Sequence, residues 1–138
     1  MFIDKAGYTW IEEYIVDPPT HILNGFIWAL WGIYDYYLST QSDQAKDIYE
    51  RSLNTLRKNL PLYDNGFWSI YEQSGTKIKM IASPFYHSLH IVQLGILYRL
   101  TGEDDFLHYS RLWQRYKDNF IYRSRALLHK IFFKIFYY

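Results

Sequence analysis

Four prolines, Pro18, Pro19, Pro61 and Pro84, divide the chain, and in the stretches between them apolar residues recur at helical spacing. From Thr20 to Leu38 the positions Ile22, Leu23, Phe26, Ile27, Leu30, Trp31 and Tyr34 fall three and four apart, which puts them on one face of a helix. Ser39 to Asp43 is a polar break with capping residues, after which Ala45, Ile48, Tyr49, Leu53, Leu56 and Leu60 repeat the period up to Pro61. So short a connection makes the two helices antiparallel. A second pair follows Pro84: Leu89, Val92, Leu94, Ile96 and Leu97 lead to Thr101-Gly102, and Phe106, Tyr109, Leu112, Trp113 and Tyr116 continue on another helix.

The remaining segments carry other patterns. Residues 1–19 read as an extended or irregular lead, because Pro18-Pro19 disfavour a helix just before them and Tyr8-Thr9-Trp10-Ile11 is strand-like in composition. In an extended lead Glu12 and Tyr14 share one side and Glu13 takes the other. Between Pro61 and Pro84, Phe67-Trp68-Ser69-Ile70-Tyr71 and Lys77-Ile78-Lys79-Met80-Ile81 alternate about Ser74-Gly75-Thr76, which predicts a β-hairpin. The segment 121–138 mixes Arg123, Arg125, Lys130 and Lys134 with large apolar residues. Ordinary helix packing is its expected role, with contact to an anionic membrane as the alternative.

Composition narrows the function classes. Of 138 residues, 49% are hydrophobic and 15 basic side chains stand against 14 acidic, which excludes a disordered chain and a strongly basic nucleic-acid binder. Length predicts one domain over 1–138. No apolar run approaches the roughly 20 residues that span a bilayer, and Met1-Phe2-Ile3-Asp4-Lys5 lacks the apolar core of a secretory signal, so a soluble chain is expected. Zero cysteines exclude disulfides and thiolate metal sites but do not identify a compartment. The unusual number is aromatic: 15 Tyr, 9 Phe and 5 Trp. Rings at that density suit a core of amphipathic side chains, or a carbohydrate cleft in which ring faces pack on sugar C–H faces.

Common catalytic markers are absent. HExxH, the P-loop, GxGxxG and GxSxG do not occur, so zinc proteolysis, nucleotide cradling, dinucleotide binding and the serine-hydrolase elbow lack their signatures. His87 and His90, three apart, bring two ring nitrogens together without a third ligand nearby, and no metal is expected.

Read in order, a set of blocks points further. Trp10-Ile11-Glu12-Glu13-Tyr14, Pro18-Pro19, Ile22-Leu23-Asn24-Gly25-Phe26 and Gly32-Ile33-Tyr34-Asp35 are followed by Leu60-Pro61-Leu62-Tyr63-Asp64, Ile70-Tyr71 and Tyr86-His87-Ser88-Leu89-His90. From about Phe2 to Tyr116 the chain resembles the C-terminal domain of the glucuronyl C5-epimerases, which invert D-glucuronate to L-iduronate within heparan-type chains. The expected fold is then mostly α: antiparallel helical hairpins of an incomplete α/α toroid with one inserted β-hairpin.

The resemblance implies a cleft acting on a uronate-containing polysaccharide without a cofactor, with Glu13, Tyr14, Tyr71 and Tyr86 as catalytic groups and Asn24 as a substrate-binding residue. Epimerisation beside a carboxylate takes a proton from one ring face and returns one to the other, so acid/base groups are needed on both sides. A tyrosine serves as base only if its pKa, about 10 in peptides, is lowered by positive charge or hydrogen-bond donors. Family members carry an arginine shortly after the hairpin tyrosine and another just before the Tyr-His block, where this chain has Glu72-Gln73-Ser74 and Ser83-Pro84-Phe85. Loss of two such forks implies a different or less charged glycan. The available replacements are Lys77, Lys79, Arg99 and, as substrate-binding candidates, His87 and His90. The family also places a β-rich region and further helices before this domain, so the chain reads as a fragment, completed by a missing upstream domain or by self-association. A non-catalytic glycan-binding module and a helical scaffold are the alternatives.

Overall fold

In a computed structural model, which describes residues 1–137, five helices account for most of the chain. Strands β1 (Phe2–Ile3) and β2 (Thr9–Trp10) form a small antiparallel sheet with Phe2 opposite Trp10 and Ile3 opposite Thr9. Helices α1 (Leu23–Thr40) and α2 (Asp43–Asn59) make the first hairpin, and a short 3-10 turn, Leu60–Tyr63, ends it at Pro61. Helices α3 (Pro84–Thr101) and α4 (Asp104–Asp118) make the second, and α5 (Phe120–Tyr137) follows.

The helix ends follow local chemistry. Gln41 turns left-handed at φ 54° and returns its N–H to Tyr37 O at 2.8 Å, and Ser42 Oγ then accepts Ala45 N–H, so one helix stops and the next starts within two residues. Gly102, at φ 73°, ends α3 in the same way by donating to Tyr98 O. Ser83 caps α3 through Tyr86 N–H, with Pro84 in the first helical position where no N–H is needed. The two hairpins meet through α1 and α3, and Phe26, Ile27, Leu30, Leu56, Leu94, Leu97, Phe106 and Trp113 are wholly buried in a shared core.

Three expectations change. The first helix begins at Leu23 rather than Thr20, because His21 is left-handed and Ile22 extended. The predicted β-hairpin shrinks to an isolated bridge between Ile70 and Ile81, flanked by Tyr71 N–H to Met80 O at 2.7 Å and Ala82 N–H to Ser69 O at 2.9 Å. It stops there because the next backbone groups bond elsewhere: Tyr71 O accepts Leu23 N–H, and Gln73 N–H donates to Thr20 O. The buried Glu72 carboxylate turns back to Ser74 N–H and Oγ–H. The lead is also not extended throughout, since the chain bends at Glu13 and Tyr14. The tail is helical to Tyr137, and Tyr138 lies outside the described residues.

Candidate active site

The lead reaches the first helix through a fixed sequence of contacts. Thr9 N–H donates to Thr55 Oγ1 at 2.9 Å, docking β2 on α2. Two residues past Trp10, Glu12 accepts His21 N–H at 2.9 Å and pairs with the His21 ring at Nδ1. His21 holds φ 49°, uncommon for a residue with a Cβ. Trp10 stacks on its ring at 4.1 Å and Tyr63 OH donates to its carbonyl at 2.6 Å, so several contacts hold that backbone in place. The next residue, Glu13, is thereby brought across the start of α1, with its carboxylate against Gly25.

Two further segments bring the tyrosines. Tyr71 is held on both sides by its own backbone, donating to Met80 O and accepting from Leu23 N–H at 3.1 Å. Tyr86 stands in the capped first turn of α3. Their rings lie 4.9 Å apart at 58°, and Phe85 adds an edge-on ring at 5.4 Å from Tyr86. Burial, the Tyr86 phenol, the Glu13 carboxylate, a hydrogen bond with Tyr86 and the Tyr14 phenol together push Tyr71 up to about 12. The Tyr71 phenol thus sits beside Tyr86, within electrostatic reach of Glu13 and Tyr14. This shift runs opposite to the lowering that a tyrosine base requires, and no cation is among the groups acting on Tyr71. A phenol that keeps its proton can donate one but not accept one.

Asn24 is buried in the first turn of α1, where its carbonyl accepts Gln93 Nε2–H at 3.1 Å. Asn24 Oδ1 and Gln93 Oε1 are both buried without a protein partner. Gln93 follows Tyr86 by seven residues and so shares its face of α3.

His87 and His90 are placed elsewhere, wholly buried in the core. Ser69 Oγ lies 2.8 Å from His87 Nδ1 and 2.9 Å from His90 Nδ1, and His87 stacks on Trp68 at 3.7 Å. Ser69 N–H also donates to His87 Nδ1, which makes that nitrogen an acceptor and leaves Nε2–H to donate to Trp113 O at 3.1 Å. Both rings are thus neutral: burial holds His87 down at about 4 and His90 at about 3. Neither ring has surface to offer a glycan. Among the described residues no three His, Cys, Asp or Glu side chains are grouped to hold a metal. Lys77 and Lys79 are exposed, and Arg99 in the last turn of α3 is 13 residues from Tyr86, about 20 Å at the helical rise.

The D-glucuronyl C5-epimerase C-terminus family matches residues 1–115. The chain belongs to that family. An uncharacterised protein of Methanocaldococcus jannaschii is 35% identical over 110 residues, covering 80% of this chain and 34% of that one. The D-glucuronyl C5-epimerase of Caenorhabditis elegans is 29% identical over 103 residues, covering 64% of this chain and 17% of that one. The chain therefore spans about a third of the first relative's length and about a sixth of the second's. The matched stretch contains Glu13, Tyr14, Asn24, Tyr71 and Tyr86 and stops before α5.

Some residues around Tyr71, Tyr86 and Glu13 carry little or no sequence signal. Gln93 sits inside an ordinary helical pattern and carries no signal. The Glu12–His21 clamp joins residues nine apart through a bend that composition does not reveal. Gly25 did offer a signal, since a glycine within a helical stretch marks either weakness or a close approach.

Proposed function

We propose that this chain supplies the acid/base centre of a uronate C5-epimerase, converting D-glucuronate to L-iduronate in a heparosan-like polysaccharide, with its helical hairpins forming part of an incomplete α/α toroid. The gathering of Glu13, Tyr14 and Tyr86 about a protonated Tyr71 carries this reading. A base removes the C5 proton and the C–H electron pair moves into the adjacent carboxylate. A donor on the opposite face then returns a proton to C5 as that pair comes back. No electrons are gained or lost, so the step requires no redox partner. Glu13 is suited to the first transfer and the Tyr71–Tyr86 pair to the second. The exposed Phe85 and Tyr14 rings give sugar C–H faces a surface to pack on.

Proton-deuterium exchange at the uronate C5 of heparosan and N-sulfated heparosan in heavy water, read by NMR, tests this. Exchange by the parent chain that disappears in Tyr86→Phe and Tyr71→Phe is the expected result. Oligosaccharide binding without any exchange would overturn it and assign a glycan-binding role instead.

A further inference from the structure

Gly25 is the third residue of α1 and has ordinary helical dihedrals, unlike Gly7, Gly66, Gly75 and Gly102, whose φ is positive. Its backbone conformation therefore does not call for glycine, and alanine is the better helix former. What calls for glycine is space. A Cβ at position 25 would collide with Glu13 Oε2 and stand 3.1 Å from both Glu13 Cβ and Cδ. Turning the carboxylate tip alone cannot relieve that crowding, because the stem of the side chain is also too near. Backing the segment away is resisted one residue earlier, where Glu12 grips His21 at both its backbone N–H and its ring. Gly32, seven residues on in the same helix, has open space where its Cβ would be.

We propose that Gly25 is a positioning residue for Glu13: the missing Cβ forms the seat in which the Glu13 side chain rests, holding its carboxylate toward Tyr71 and Tyr86. The catalytic meaning of the seat rests on the epimerase reading above, whereas its steric meaning does not. The closest control is Gly32→Ala, the same change in the same helix with nothing to collide with.

The experiment compares the parent chain, Gly25→Ala, Gly32→Ala, Glu13→Ala and the Glu13→Ala/Gly25→Ala pair. Tyrosine labelled at Cζ with carbon-13 lets the Tyr71 phenol be titrated by NMR, its signal assigned by loss in Tyr71→Phe. In Gly25→Ala the displaced carboxylate no longer opposes ionisation of Tyr71, and its titration moves to lower pH; in Gly32→Ala it stays at the parent value. In the exchange assay kcat falls tenfold or more in Gly25→Ala with KM within about threefold, a split expected when binding survives and the reacting groups are misplaced. Thermal unfolding completes the cycle: Gly32→Ala raises Tm by a few degrees, Gly25→Ala raises it less or lowers it, and in the Glu13→Ala background Gly25→Ala raises it as Gly32→Ala does. An unmoved Tyr71 titration in Gly25→Ala, or an equal Tm effect of Gly25→Ala with and without Glu13, overturns the seat. If the parent shows no exchange, the epimerase reading fails while the titration and the cycle still decide the seat. If Gly25→Ala does not fold, recovery of folding in the Glu13→Ala pair supports it and failure to recover overturns it.

Discussion

His87 and His90 show how far one side chain's meaning depends on its surroundings. Three apart in a helix, they read from the sequence as glycan contacts, yet both meet Ser69 in the core, one donating to its oxygen and the other accepting from it. No local pattern could reveal this, because Ser69 lies 18 residues before the nearer ring. The consequence is a pH dependence. Both pKa values are depressed on folding, so below about 6.5 the unfolded chain binds protons that the folded chain refuses until about 4 and about 3. Stability from these two groups is complete above pH 6.5 and falls as the pH drops toward 4, with a slope approaching about 2.7 kcal/mol per pH unit for two protons. Urea midpoints between pH 7 and 4.5 measure this, and His90→Gln should flatten the slope. Tyr71 moves the other way: it keeps its proton up to about pH 12, so the donor role proposed for it should persist through the alkaline range in which the chain stays folded. A tyrosine-linked loss of exchange between pH 8 and 9 would contradict that assignment.

At the scale of elements, the four helices of the two hairpins were legible because their apolar faces repeat over four or more turns, with Ser42, Ser83 and Gly102 marking some of their ends. The hairpin after Pro61 was not. Alternation over five residues predicts strands, but a strand persists only where its backbone groups find strand partners, and here Leu23 and Thr20 take those groups for the start of α1. That exchange is useful, because α1 has Ile22 at its cap position with no side chain to accept a first-turn N–H, and Tyr71 O takes that place. The caps of α2 and α3 are equivalent in chemistry but not in position. Ser42→Ala and Ser83→Ala should each cost about 1 kcal/mol in chemical unfolding. Only Ser83→Ala, which frees the N–H of Tyr86 itself, should also slow C5 exchange.

At the scale of the whole molecule, α5 packs one face inward and leaves large apolar residues exposed on the other. Phe133 is 9% exposed and its neighbour Phe132 58%. The inner face meets Phe67, over which Arg125 lies at 4.2 Å, and leaves a groove of about 730 Å³ among Trp68, Ser88, Lys117, Arg123 and Lys130. The outer face presents Leu127, Leu128, Ile131, Ile135 and Phe136, an apolar surface of the kind that associates. Phe133→Ala should cost about 3 kcal/mol, as a buried ring does, whereas Phe132→Glu should leave the unfolding midpoint unchanged. No described helix is long and apolar enough to cross a membrane.

The order of the elements, the two antiparallel pairs and the family were readable from the chain itself, because helical period, capping and block spacing are properties of near neighbours along the sequence. The fate of the histidines, the shortened hairpin and the seat at Gly25 were decided by contacts between residues from 9 to 69 positions apart, as in the Glu12–His21 clamp and the Gln93–Asn24 bond. Such contacts exist only once the hairpins have packed. Packing sets which polar groups lose water and which neighbours replace it, and that determines where Tyr71 holds its proton and where Glu13 can stand.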